Sequence, residues 1–561
     1  MSLSKPSLLT FFLICTASML AIHAVLTTHV TSLNTTDWGI LSRLPITYWV
    51  GLGLVGVLIL FSLRNAQSLS LKVSLTIFVL ILVYTNFVPQ IIETPIGLSR
   101  FSLWPSSQAS LTISTGHISV GQPKQMLDYN NWPFFTVFTS IFMLITGSPL
   151  GWLAKWFPLF TITLWALLVF IILKKFLEPK YSLIGAALFL CGSWTKQQYF
   201  GPQSFAFVLF LIAIFLLFQS KNPTFNFSKK PFVILTVITF IGLVFSHVLT
   251  PVALLLMVIT VYLIVNMFDR HDVKSSKSLW YFILLCITIV IAYNVYVTPN
   301  FISYGFNQIV AAFGSSVTQQ LGRVAGSQYQ TFTNASIYGL VGGFFGVSLL
   351  GLFLMSRNKN QPKLQTLTWF GATGAMFLIA IIPYGQEGPF RAFIFALPFL
   401  ALICVSLLKR KPKLLGSLMV VFLILSVPAI YGSDSYRLAT DSEMKGTTYI
   451  VQYLPDASLV FGRLSTYVRY FNPLTNMTFQ SIGAPPFLSY DPISIEQNLD
   501  KTNYMAVSRN DVHYYEYYTG ANPYQGLNLS QNINVTSSCL YDNGNFSVYL
   551  INPFMPIRPT G

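Results

Sequence analysis

About a dozen long apolar runs recur along this chain, and nothing else in it restricts the fold as tightly. LLTFFLICTASMLAIHAVL from Leu8, LIGAALFLCGSW from Leu183 and FAFVLFLIAIFLLF from Phe205 are three of them. A spanning helix needs roughly 20 mostly apolar residues. Lipid leaves the backbone two ways to satisfy its polar groups, a helix or a closed barrel. Barrel strands alternate in polarity, and these runs do not. With 53% hydrophobic and 9% charged residues over 561 positions, the chain reads as an all-α polytopic membrane protein. The first run exceeds a signal-peptide core and lacks a small-residue cleavage site, so it reads as a membrane helix. Four cysteines (Cys15, Cys191, Cys286, Cys404) lie inside apolar runs, which leaves Cys539 without a partner for a disulfide framework.

Net charge is +16, but its placement argues for topology rather than nucleic-acid binding. More than half of the 33 basic residues fall at Lys5 and in the short loops 64–72, 174–180, 221–230, 269–277, 357–363 and 409–413. Only Glu178, Asp269 and Asp272 oppose them there. By the positive-inside rule these loops are cytoplasmic. Two apolar stretches, 133–149 and 157–175, then lie between an outward exit near residue 90 and the inward loop at 174. Only one of them can cross, so 133–149 is expected to lie along the outer interface. Thirteen spans follow: 8–26, 46–62, 71–90, 157–175, 181–195, 202–218, 231–246, 252–267, 279–297, 337–356, 365–383, 390–408 and 414–431. They put the N-terminus inside and the C-terminus outside, in a plasma membrane. Residues 1–431 form the membrane domain, with long outer loops at 91–156 and 298–336. Segment 432–561 is polar and reads as a small α/β or α+β extracytoplasmic domain. It has a helix capped by Thr440 or Asp441 and strands near 458–464, 504–509 and 546–551.

The outer side of the membrane domain holds four acids: Asp37, Glu93, Asp128 and Glu387. Three outer hairpins carry more polar chemistry than a turn requires: GSWTKQQYFGPQ (192–203), SHVLTP (246–251) and PYGQEGPFR (383–391). Ionisable groups at a membrane boundary are usually functional or paired, although lysines that snorkel and interfacial aromatics account for some. Asp128 stands in DYNNWPFF, where it serves either as a catalyst or as the cap of the helix that follows. Glu387 and Arg391 suit either substrate binding or a local ion pair. Tyr129, Trp132, Trp194 and Tyr199 suit stacking on sugar faces or anchoring at the interface.

A membrane helix enters a long outer loop that carries an acid, an interfacial helix with an aromatic-Pro entry follows, and then come a many-helix body and an outer domain. This order resembles the GT-C superfamily of membrane glycosyltransferases, which use polyprenyl-phosphate-linked sugars. YFGPQSFAFVLFL (199–211), SHVLTP (246–251) and YGQEGPFRAFIFALPFLAL (384–402) look like motifs of a prokaryotic branch of it, and CLYDNGNFSVYL (539–550) is similar to its Tyr-Asp-Asn-Gly ending. Two spans precede the helix that opens the family's module, and the WWDYG signature of oligosaccharyltransferases is absent. The resemblance implies Asp128 as general base for an acceptor hydroxyl. Chemical reasoning adds Lys196, His247 and Arg391 for the donor phosphate, and Glu387, Tyr129, Trp132, Gln203 and Arg323 as further substrate contacts.

The expected partners are a polyprenyl-phosphate-linked sugar donor, a glycan, lipid or protein acceptor, and membrane lipids, with no nucleic acid. No cofactor is required if Lys and Arg neutralise the leaving phosphate. Asp128 with Glu387 is the alternative for a divalent cation. Two other classes fit a many-helix protein. A lipid-linked oligosaccharide polymerase or ligase would lean on arginine-rich outer loops. A transporter or flippase would show repeats and charges near the midplane. Here the arginines are scattered and the charges sit at helix ends.

Overall fold

The computed structural model describes residues 8–28, 38–64, 69–95, 97–118, 128–221, 229–268, 273–299, 328–357, 363–381, 388–432, 437–461, 465–472, 474–480, 503–509 and 537–551. The helices of the membrane region are α1 (Leu8–Thr27), α2 (Ile46–Ser62), α3 (Leu71–Glu93), α4 (Arg100–Thr115), α5 (Phe134–Thr146), α6 (Leu150–Leu173), α7 (Pro179–Gly192) and α8 (Pro202–Lys221). They continue with α9 (Lys229–Ser246), α10 (Leu249–Phe268), α11 (Val273–Tyr296), α12 (Gln328–Arg357), α13 (Lys363–Phe377), α14 (Gly388–Leu408) and α15 (Pro412–Tyr431). Among the described residues, nine helices are long and apolar enough to cross a membrane alone: α1, α3, α6, α8, α10, α11, α12, α14 and α15. The chain is a multi-pass membrane protein. The shorter helices α2, α7, α9 and α13 complete the thirteen apolar runs.

Of the short helices, α7 matters most for function. Its 14 residues span roughly 21 Å at 1.5 Å per residue, against a hydrocarbon core of about 30 Å. Every residue from Tyr181 to Gly192 is buried, so protein rather than lipid surrounds it. Irregular backbone at membrane depth is tolerated only in such a setting. The connection 193–201 therefore begins inside the bundle, with Ser193, Trp194 and Thr195 all buried. Helix α14 is likewise enclosed, with every residue from Arg391 to Leu397 buried. Three of the basic turns, near residues 64, 180 and 410, meet at one pole: the Tyr181 hydroxyl donates to the Lys409 carbonyl at 3.4 Å, and a Cβ on Gly416 would lie 3.1 Å from Leu63. The 193–201 connection lies at the other pole.

Two helices lie in the first long loop, although hydropathy points to only one. Helix α5, with 13 residues, is too short to cross alone. Helix α4 (RFSLWPSSQASLTIST) is serine-rich and holds Pro105, so its apolar signal is low. Ser102, Ser106 and Ser107 are buried: Ser106 and Ser107 donate to the Ser102 and Leu103 carbonyls, and Ser140 of α5 donates to the Ala109 carbonyl at 3.3 Å. Helix α6 begins at Leu150, earlier than hydropathy suggests, because Pro149 supplies an extended entry.

The polar C-terminal region holds α16 (Asp441–Tyr453), α17 (Ser465–Phe471) and a five-stranded sheet of order β4-β3-β5-β7-β6. Its strands are β3 (Leu459–Phe461), β4 (Thr478–Gln480), β5 (Asn503–Ser508), β6 (Ser537–Asp542) and β7 (Phe546–Ile551). Strands β4, β3 and β5 run parallel, and β7 joins antiparallel to β5 and β6. A separate ribbon pairs β1 (Gly97–Ser99) of the first loop antiparallel with β2 (Leu438–Thr440). Thr440 caps α16 in a reciprocal capping box with Glu443. Glu443, 1% exposed on its side chain, accepts from Arg100 Nη2 at 2.8 Å. It also accepts from the Tyr467 and Ser508 hydroxyls. The first residue of α4 is thus tied into the C-terminal sheet and helices, so the first loop and the C-terminal region share one small core.

Candidate functional site

The pole opposite the basic turns gathers the ends of α3, α7, α9, α14 and α15. The connection between α7 and α8 and the start of α8 lie among them, and most of their side chains are polar and buried. Five of these side chains have a buried atom without a hydrogen-bond partner among the described residues: Trp194 Nε1, Thr195 Oγ1, Gln197 Oε1, Gln198 Oε1 and Gln203 Oε1. Buried polar groups are nearly always satisfied, and each exception needs an explanation. Five within ten residues make this connection the densest cluster of buried hydrogen-bonding groups described at that pole, suited to binding a polar molecule. Asn130, 2% exposed, adds a sixth such atom, its Oδ1, from the first-loop turn Asp128–Asn131.

Lys196 lies in the middle of this connection at φ +49°, the only non-glycine residue in the left-handed region among those described. That conformation costs about 1–2 kcal/mol and must be held by its surroundings. The ammonium lies 3.6 Å from Glu93 Oε2 and 4.4 Å from the centre of the Tyr431 ring. Glu93, the last residue of α3, is 4% exposed.

A buried cation, Arg391, stands on α14. Arg391 Nη1 is 3.3 Å from His247 Nε2, and His247 Nδ1 is 2.9 Å from Thr250 Oγ1. A guanidinium can only donate, so Nε2 accepts and Nδ1 carries the proton. Burial first, then the Arg391 charge, lowers the His247 pKa well below the usual imidazole value. The imidazole is therefore neutral. Trp194 packs on Phe390 and Phe393 at 5.2 and 5.7 Å, which sets the Lys196 connection beside Arg391.

Helices α4 and α5 roof this cluster. The Phe101 ring lies 5.6 Å from Tyr199, and Phe135 lies 4.9 Å from Phe200. The turn between them is pinned by the Tyr293 hydroxyl, which donates to the Asn131 carbonyl. Trp132 is buried in the bundle core.

The structure thus brings Lys196, Gln203, His247, Arg391 and Trp132 to one pole. Asp128 opens the turn over that pole. Its side chain and that of Tyr129 lie outside the described residues, as do Glu387 and Arg323 and most of the loop 298–336. Glu93 is one of the four outer acids in the sequence, without an expected role there. Its signal was position, since it is the first acid after the span that opens the long loop. Among the described residues no three His, Cys, Asp or Glu side chains converge as metal ligands.

No protein-family model and no curated sequence matches the chain. Its architecture is similar to that of solved membrane proteins. ArnT from Cupriavidus metallidurans, solved bound to undecaprenyl phosphate, matches with a TM-score of 0.51 at 10% identity, over 84% of this chain and 97% of ArnT. The Archaeoglobus fulgidus oligosaccharyltransferase, in complex with zinc and sulfate, matches with a TM-score of 0.52 at 13% identity, over 85% of this chain and 73% of that enzyme. The same enzyme tethered to an acceptor peptide matches over 97% of this chain with a TM-score of 0.50. At such identities the likeness is one of fold.

Proposed function

Because the chain has the GT-C membrane fold, we propose that it is an integral-membrane glycosyltransferase. It moves a hexosyl or pentosyl unit from a polyprenyl-phosphate-linked donor to a glycan, lipid or protein acceptor. The reaction takes place at the pole opposite the basic turns, which the positive-inside rule puts on the outer face. The observation that carries this reading is the buried connection 193–203, where five unpartnered polar groups flank a lysine held in the left-handed region. Amide oxygens, an indole N–H and a hydroxyl suit the hydroxyls of an uncharged sugar. The likeness to ArnT, whose structure holds undecaprenyl phosphate, supports a polyprenyl phosphate as the carrier.

In the transfer, the acceptor oxygen attacks the anomeric carbon, and the bond from that carbon to the phosphate oxygen breaks. The polyprenyl phosphate leaves with the electron pair, and a base takes the acceptor proton. Lys196 and Arg391 stabilise the charge that grows on the phosphate. Asp128, in the turn over the cluster, is the proposed base. Glu93 holds Lys196 in place.

The test is turnover of a labelled panel of polyprenyl-phospho-sugars by detergent-purified protein. Asp128→Asn should abolish transfer and keep donor binding, whereas Glu93→Gln should weaken donor binding through Lys196. The reverse pattern would move the base to Glu93. Failure of every donor to bind or react would overturn the proposal.

A further inference from the structure

Helix α3 changes pitch before it reaches Glu93: residues Val83–Phe87 form a π-helical turn. The sequence explains where. Pro89 has no N–H, so it cannot serve the Thr85 carbonyl in α spacing or the Tyr84 carbonyl in π spacing. Both carbonyls are nevertheless satisfied. The Tyr48 hydroxyl of α2 donates to the Tyr84 carbonyl at 2.7 Å, and the Tyr431 hydroxyl of α15 donates to the Thr85 carbonyl at 3.0 Å. The Tyr84 hydroxyl in turn donates to the Ala17 carbonyl of α1 at 2.7 Å. The fit of α2 is close: a Cβ on Gly51 would lie 1.8 Å from the Tyr84 hydroxyl oxygen.

We propose that α1, α2 and Tyr431 lock this π-turn, and that the lock sets where Glu93 meets Lys196; Tyr48 and Tyr431 are its positioning residues. One residue inserted into a helix rotates everything beyond it by roughly 100°. Without the π-turn, Glu93 in the last turn of α3 would face away from the ammonium 3.6 Å from it. Tyr431 acts at both ends of the device, because its hydroxyl holds Thr85 while its ring lies under Lys196. The two helices that precede the opening span of the module thereby gain a task. They brace the backbone of that span at the point where a proline has emptied it.

That the lock serves catalysis rests on the function proposed above, so its test carries a readout that needs no substrate. Tyr48→Phe removes one hydroxyl far from the cluster, and Tyr431→Phe keeps the ring under Lys196. Pro89→Ala restores an N–H that competes for the freed carbonyls and favours continuous α-helix. Amide exchange across 88–95 and 193–201, read by mass spectrometry, should rise about tenfold in each tyrosine variant. Pro89→Ala should leave the melting temperature unchanged or higher, yet speed exchange across 193–201 and lower turnover at least about fivefold. A folded Tyr48→Phe or Tyr431→Phe protein with wild-type exchange across 193–201 overturns the lock. Altered exchange with wild-type turnover on a working donor overturns its catalytic role. A panel in which no donor reacts with the wild type refutes the proposed function and leaves the exchange result to judge the lock by itself.

Discussion

The contact most open to a quantitative test joins the first loop to the C-terminal region. Arg100, 18% exposed on its side chain, donates to the buried Glu443 carboxylate at 2.8 Å and to the Tyr467 hydroxyl at 2.6 Å. A hydrogen bond to a charged partner contributes about 1.5–3 kcal/mol, and a neutral one about 1. Removing one partner of a buried pair costs more when the other is left bare. Here Glu443 would keep the Thr440 N–H and the Tyr467 and Ser508 hydroxyls, and Arg100 is partly hydrated. Arg100→Met should therefore weaken the docking of β1 and α4 by about 2–3 kcal/mol. The readout is amide exchange in the β1–β2 ribbon, Gly97–Ser99 against Leu438–Thr440, which should run roughly 30- to 140-fold faster. A double-mutant cycle with Glu443→Gln isolates the pair and should give a coupling of about 1.5–2.5 kcal/mol. A coupling below about 0.5 kcal/mol would show that the ribbon and the packing of α17 carry the docking, and the reasoning would fail.

Two further outcomes are expected. His247 is buried neutral, so below pH 6.5 the unfolded chain takes up a proton that the native state refuses. Stability should then fall with pH by about 1.4 kcal/mol per unit below that point, and His247→Gln should flatten the slope of thermal stability between pH 7 and 5. Gln203, 3% exposed with an unpartnered oxygen, is the site where stability and function should part. Gln203→Leu should raise the melting temperature, since it removes an unsatisfied group worth about 1–3 kcal/mol, while the donor KM rises. A fall in both melting temperature and KM would count against a ligand at that position.

Much of the bundle was legible in the sequence because lipid imposes a one-dimensional rule. A run of apolar residues has to be helical, and the loops between runs carry the charge pattern. The strands near 504–509 and 546–551 and the Thr440 cap were readable for a similar reason, since their signals are local. Helix α4 was not: its serines and Pro105 lower its apolar content, and it is stable because Ser140, Phe101 and Arg100 dock it on partners distant in sequence. The polar hairpin 192–203 could be singled out by composition, but not its depth. That depends on α7 being short and enclosed, a property of its neighbours rather than of its own 14 residues. The span 71–90 read as one continuous helix, and only the packed structure shows the π-turn before Pro89 and the Tyr48 and Tyr431 hydroxyls that take up its carbonyls. The sequence alone determined which segments enter the membrane and which side chains are too polar to be incidental there. The tertiary structure decided which of those side chains meet, because Glu93 and Lys196, or His247 and Arg391, are paired across helices by contacts that no local pattern encodes.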